Sequence, residues 1–353
     1  MTSGRIHHID VWRFIAIALV IVSHVIGYSH PWYLNAMPDF IAPIQKLGIL
    51  GVRIFFCISG FVICRGMIAE FRNSGGVSMR GFYIRRAYRI LPILVAYFLC
   101  VALMNNIGIF NIRLSEFLKA GAFLCNISQI GPECKWALGH TWSLAYEEQF
   151  YLVFPLLFIF LRLSENRSAL LKLILVLIPI YIFALKLHID IVWVYIGEAI
   201  YLLAGCVCAL YWDKLERGFQ KLSCLVWLAI CLLMVLLSIF SMPTILKTVF
   251  PLGFAILICI AVFGTPTRIT SIRAIFTNPV LAYWGRISYG VYLWQELATA
   301  DYGFVSPLTV ISLVVITFVF AHYSYQFFEL PLIRRGHRLS SQHVGSSITP
   351  TQI

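Results

Sequence analysis

The sequence predicts an all-α, polytopic membrane protein with about ten transmembrane helices. Three observations predict it. Hydrophobic residues make up 60% of the 353-residue chain and charged residues only 12%, against about 25% charged in a soluble domain. Apolar stretches near the ~20 residues that cross a hydrocarbon core recur along nearly the whole length. The cations fall between those stretches rather than on one patch. The formal charge of +12 therefore reads as membrane topology and excludes a nucleic-acid partner.

The first stretch, 14–30, follows Arg13 and holds His24. It lacks a small-residue cleavage site, so it reads as a retained helix rather than a signal peptide. The second, 44–64, carries Arg53, and the third, 90–107, follows an arginine-rich approach. After the longest break, 106–140, comes 142–161, which carries Glu147 and Glu148. That break has room for a short re-entrant or interfacial piece. The stretches 169–187, 192–211, 222–240, 246–263, 281–299 and 307–330 complete the set, with ends good to about ±4 residues. No tandem repeat is present, and no gap holds a soluble domain above about 40 residues. Residues 1–336 read as one transmembrane domain and 337–353 as a disordered cytoplasmic tail.

Loop charges set an orientation. With the N-terminus in the cytoplasm and alternating crossings, only Lys46, Arg53, Arg113, Lys119, Lys135, Lys186 and Lys247 fall outside, leaving 20 of the 27 Lys and Arg residues inside. Both termini are thus expected in the cytoplasm. The ten cysteines show no CxxC or metal-ligand spacing, so no metal is expected. Cys125 and Cys134 share one polar loop and could pair if it faces an oxidising compartment.

Charged residues within membrane segments are costly and are functional candidates. Arg13 and His24 are 11 residues apart, about 16 Å along a helix and within roughly 20° of one face. Taken singly, His24 also fits a structural histidine and Arg13 a snorkelling anchor. In Phe82-Tyr-Ile-Arg-Arg-Ala-Tyr-Arg-Ile-Leu-Pro92, Arg86 and Arg89 share a face and Arg85 adjoins. Such a cluster can hold phosphates, although the residues alone favour a positive-inside anchor for anionic lipid. His140-Thr-Trp-Ser-Leu-Ala-Tyr-Glu-Glu-Gln-Phe-Tyr151 opens a helix with two adjacent glutamates. Glu147 and Glu148 point about 100° apart, so one of them is expected to face a shared cavity. The bland alternative is an acidic helix start favoured by the dipole. Arg53, near mid-membrane, needs a partner, expected to be Glu147 or Glu148; Glu198 and Glu296 are further acids in the outer half.

Together these segments resemble the membrane-bound acyltransferase-3 family. Asp10-x-x-Arg13 followed by His24 is similar to its first-helix Arg-x10-His signature. Gly51–Phe61, Phe82–Pro92, His140–Tyr151, Gly285–Trp294 and Phe328-Glu-Leu-Pro331 resemble five further family motifs in the right order. Arg53 is a departure, because relatives usually carry an acid there.

The resemblance implies acyl transfer, usually of acetyl, from acyl-coenzyme A to a sugar hydroxyl of a bacterial surface polysaccharide or lipopolysaccharide O-antigen. It implies an inner-membrane enzyme with a glycan or lipid-linked glycan acceptor and membrane lipid around it. Arg13, Arg85, Arg86 and Arg89 would bind acetyl-CoA. His24 would act as general base, oriented by Glu147 or Glu148. His140, Trp142 and Ser143 would contact substrate, with Ser59, Trp142 and Ser143 as candidate oxyanion donors. Arg53 would suit the site to an anionic acceptor. No covalent nucleophile stands out and no Gly-x-Ser-x-Gly elbow is present, which favours direct transfer. A secondary transporter or flippase of a glycan or acyl precursor also accommodates many helices and buried charges.

Overall fold

Backbone groups in lipid must be satisfied within the chain, which closes apolar stretches into helices. The computed structural model describes residues 6–28, 43–240, 250–299 and 307–344, and among them every regular element is helical. Helix α1 (His7–Tyr28) is followed by α2 (Leu47–Ser74) and α3 (Met79–Asn106). The break at 106–140 holds two short helices, α4 (Leu114–Gly121) and α5 (Trp136–Gly139), before α6 (Thr141–Phe160). Then come α7 (Ser168–Lys186), α8 (Asp190–Leu210), α9 (Trp212–Phe219), α10 (Cys224–Ile239) and α11 (Phe250–Phe263). Helices α12 (Thr270–Phe276), α13 (Pro279–Arg286), α14 (Ser288–Ala298) and α15 (Pro307–Ser324) follow. A π-turn over Tyr325–Glu329 leads into α16 (Leu330–Val344).

Five helices among the described residues are long and apolar enough to cross a membrane, or six if the pair Val194–Leu210 and Trp212–Phe219, bent by 90°, is one span. The expected count of about ten is therefore met only in part. Helices α10 and α11 are only 16 and 14 residues long. The stretch 281–299 is broken at Ile287 into α13 and α14. Large apolar side chains face outward around the bundle: Leu103, Phe160, Leu225 and Phe327 are 68–83% exposed. Such a surface suits lipid rather than water. The expected tail from residue 337 is corrected over 337–344, which continue α16 as helix. That helix packs along α3, with Gly336 seated against Tyr88. Residues 345–353 lie outside the described residues.

Two turns position the charged residues. Gly75, in the left-handed region at φ 71°, ends α2, and the Ser78 hydroxyl caps α3 by accepting from the Gly81 amide at 3.1 Å. Glu70 accepts the Ser78 amide at 2.8 Å and Arg85 at 2.7 Å, which folds the arginine-rich start of α3 back against α2. The α4–α5 segment is fastened over the other end of the bundle. Cys125 and Cys134 are joined by a disulfide, Tyr97 donates to the Ala137 carbonyl at 2.6 Å, and Asn126 donates to Gln149 at 2.9 Å.

Helix α1 is clasped between α2 and α13. Gly51 of α2 lies at the Ala16 carbonyl and Gly285 of α13 at the Asp10 carbonyl; a Cβ at either would overlap that oxygen. Small residues let membrane helices approach this closely. Gly285→Val should force α1 away, with a cost of about 1–3 kcal/mol or more. Its thermal unfolding in detergent should shift downward relative to Gly253→Ala, where nothing lies within 4 Å of the added methyl. Equal melting of the two variants would contradict the clasp.

Candidate active site

The face shared by Arg13 and His24 turns inward along α1. His24 Nδ1 lies 3.2 Å from Gln295 Oε1 and 3.3 Å from Glu296 Oε2, both on α14. Two acceptors facing one ring nitrogen fix the proton on Nδ1, so in the neutral ring the basic lone pair sits on Nε2. Gln295 Nε2 in turn donates to Glu296 Oε2 at 2.9 Å. The Glu296 side chain is 1% exposed, and its Oε2 is held by these two groups. The Trp136 ring meets the His24 ring edge-on, 5.3 Å between centroids. A second imidazole, His140, approaches the same Glu296 oxygen from the far side at 4.0 Å.

Two cavities meet at this point. His24 and His140 line the first with Ser23, Gln45 and Trp142. Its volume of about 280 Å³ far exceeds the ~10–15 Å³ that one water requires, so it admits a ring-sized group. Arg13, Arg86, Arg89, Ser59, Glu147 and Tyr151 line the second. Val52 and Tyr292 line both and form the wall between them. The Tyr292 hydroxyl donates to the His140 carbonyl at 2.9 Å and shares a 2.7 Å hydrogen bond with Ser143. A third cavity continues from Arg86 and Arg89 toward Arg85, Glu70 and His337. The three form a row from the arginine end of α3 to His24.

The arginine cavity is strongly cationic. Arg13, Arg86 and Arg89 bring three guanidinium groups to it against one carboxylate, Glu147. The Nε of Arg13 is buried without a hydrogen-bond partner. Arg86 stacks over the Tyr151 ring, 4.7 Å from its centroid. A cavity with surplus guanidinium donors suits an anion with several oxygens, such as a phosphate or pyrophosphate.

Several expected placements change. Neither Glu147 nor Glu148 meets His24; Glu296 holds that place. Glu147 accepts from Ser59 at 2.6 Å on the arginine side of the wall. Glu148, one residue on and turned by about 100°, leaves Oε1 buried without a partner. Arg53 does not pair with either of them. It bonds Glu198 at 2.7 Å and lies 4.9 Å from the centre of the Tyr201 ring, joining α2 to α8. Its charge is neutralised there, and it lines none of the three cavities. The expected role toward an anionic acceptor loses its basis. Arg85 is likewise bound to Glu70 at 2.7 Å, so its charge is already partnered. Trp142 and His140 do line the His24 cavity, and Ser143 stands at the wall. The residues missed are Gln295, Trp136 and Tyr292. The first lies one position past the Gly285–Trp294 motif, as an amide beside a carboxylate in an apolar run, which was a readable signal.

Comparison with known proteins gives a consistent picture. The family model described as "Acyltransferase domain" (Acyl_transf_3) matches residues 6–325. The peptidoglycan O-acetyltransferase OatA of Listeria monocytogenes is 28% identical over 370 residues, covering 93% of this chain and 56% of that protein. The O-acetyltransferase OatA of Staphylococcus aureus is 28% identical over 333 residues, covering 82% of this chain and 53% of that protein. The chain spans about half the length of the curated relatives it matches. No solved structure matches.

The Arg53–Glu198 pair generates a prediction. Arg53→Ala leaves Glu198 buried and uncompensated, so unfolding in detergent should be easier by about 3 kcal/mol. The double variant Arg53→Met with Glu198→Leu should recover most of that loss. A double variant as unstable as Arg53→Ala would show that the pair is not what the two side chains contribute.

Proposed function

The chain belongs to the acyltransferase-3 family, and we propose that it transfers an acyl group, acetyl in the first instance, from acyl-coenzyme A to a sugar hydroxyl of a bacterial surface glycan. The observation that carries this reading is the pairing of two sites across one wall. A histidine with its tautomer set by a carboxylate faces one cavity, and three arginines face the other. The Listeria relative is named for peptidoglycan and the Staphylococcus relative for O-acetylation. The Listeria name favours a surface sugar as acceptor, with capsular polysaccharide and O-antigen in the same chemical class.

Coenzyme A, when bound, supplies an acyl thioester and an anionic pyrophosphate. The arginine cavity fits the anion: Arg13, Arg86 and Arg89 would hold it, Arg13 through an Nε that otherwise lacks a partner. Arg85, bound to Glu70, would position the start of α3 rather than contact the donor. Glu147 and Ser59 would keep Arg13 and Arg86 apart and oriented at the inner edge of the wall.

His24 would accept the acceptor's hydroxyl proton at Nε2 as the oxygen attacks the acyl carbon; the thioester C–S bond would then break and the leaving coenzyme A sulfur would take that proton from the imidazolium. Glu296 would stabilise the imidazolium that forms, the part a carboxylate plays beside histidine in other acyl transfers. Ser143, beside Tyr292 where the two cavities adjoin, would hydrogen-bond the acyl carbonyl oxygen.

The orientation follows from the charge bias. With the N-terminus in the cytoplasm, the arginine cavity meets the cytoplasmic donor and the His24 cavity opens toward the outer face. About ten crossings of a bacterial plasma membrane would be needed, the shorter helices α10 and α11 among them.

His24→Ala, made in the full-length protein, should reduce transfer by at least about 10²–10⁴-fold. Acyl-CoA consumption by purified protein and mass spectrometry of the cell's surface glycans both report it. The unaltered chain should add one acetyl mass to one sugar. Retained turnover in His24→Ala would remove the histidine from the mechanism.

A further inference from the structure

His140 has an unusual position for a buried histidine. Its side chain is 1% exposed. Neither ring nitrogen has a hydrogen-bond partner. Edge-on packing against Tyr97 and Tyr292, at 5.2 and 5.5 Å between centroids, fixes the ring plane. Glu296 Oε2 lies 4.0 Å away, beyond hydrogen-bond reach and already occupied by Gln295 and His24. Buried polar groups are nearly always bonded, and leaving one unpaired costs about 1–3 kcal/mol. A fold that tolerates this at a cavity wall leaves the bond to be made by what enters the cavity.

The location narrows the ligand. His140 lines the same cavity as His24 and does not line the arginine cavity. It therefore faces the acceptor rather than the donor. The two rings bracket one oxygen of Glu296, with Nδ1 atoms 3.3 and 4.0 Å from it. Two groups so close to one point reach neighbouring oxygens of a single sugar ring. A neutral imidazole offers one donor and one acceptor, which matches a hydroxyl group and not a carboxylate or a phosphate.

We propose that His140 is the specificity-determining residue for the acceptor: it hydrogen-bonds the hydroxyl adjacent to the one that His24 deprotonates, so that the chain acylates one oxygen of a sugar diol. This rests on the reading of the chain as a glycan O-acyltransferase. His140 moves no proton in the reaction. It selects which ring carbons face His24 and how the ring is turned.

The test pairs a protein change with a ligand change. The acetylated sugar and its position are first fixed by glycan mass spectrometry with the unaltered full-length protein. If that protein acetylates no glycan, the underlying reading fails and this proposal falls with it. The synthetic glycoside of the identified sugar and its analogue lacking the adjacent hydroxyl then serve as acceptors. The unaltered protein should prefer the complete sugar by about 10- to 100-fold in kcat/KM, the equivalent of one good hydrogen bond to a buried group. His140→Ala should lose that preference, with similar rates on both acceptors. His140→Gln, which keeps a donor and an acceptor, should restore part of it. Thermal unfolding in detergent reports whether each variant is intact. Two results would overturn the proposal. One is His140→Ala that slows both acceptors equally and keeps the preference. The other is His140→Gln that melts like the unaltered protein and shows no more preference between the acceptors than His140→Ala.

Discussion

A carboxylate in the interior of a membrane protein is tolerated only where polar groups surround it. Glu296 meets that condition through His24 and Gln295, and the rest of the site follows from it. It ties α14 to α1, so the helix that carries the base is fixed in rotation as well as height. It settles which nitrogen of His24 is basic. It also draws His140 to the same point without binding it. The glycine clasp at Ala16 and Asp10 completes this arrangement by letting α1 lie deep in the bundle.

The arginine end obeys the same electrostatics with the opposite outcome. Arg53 and Arg85 are each bound at 2.7 Å by a carboxylate and serve to join helices. Arg13, Arg86 and Arg89 crowd one cavity with a single acid among them. Like charges are gathered there, and an anionic ligand is the natural complement. The division of five membrane arginines into structural and ligand-facing sets is a matter of where the carboxylates lie. Glu70 and Glu198 decide it.

Much of this was legible in the sequence. Helical spacing alone puts Arg13 and His24 on one face, and they do line successive cavities on it. The 100° step between Glu147 and Glu148 separates them, and of the two Glu147 lines the arginine cavity. Partners were the hidden part. Glu198 lies 145 residues from Arg53, and Gln295 lies 271 residues from His24. No periodicity within one helix encodes a pairing between two. The sequence also reads as a disordered tail from 337. Packing of Gly336 on Tyr88 keeps that segment helical. Likewise the stretch 281–299 reads as one helix, while in the structure it is broken at Ile287. That break sets where Gln295 and Glu296 meet α1.

The central claim is that Glu296 and His24 act as one unit. The most direct measurement is a double-mutant cycle on acyl-transfer rates, with His24→Ala, Glu296→Ala and the double variant in the full-length protein. If the two act together, Glu296→Ala alone costs about 10³–10⁴-fold and the double variant is no slower than His24→Ala. Multiplying losses in the double variant would contradict the account and show that Glu296 serves the fold or the substrate independently of the histidine.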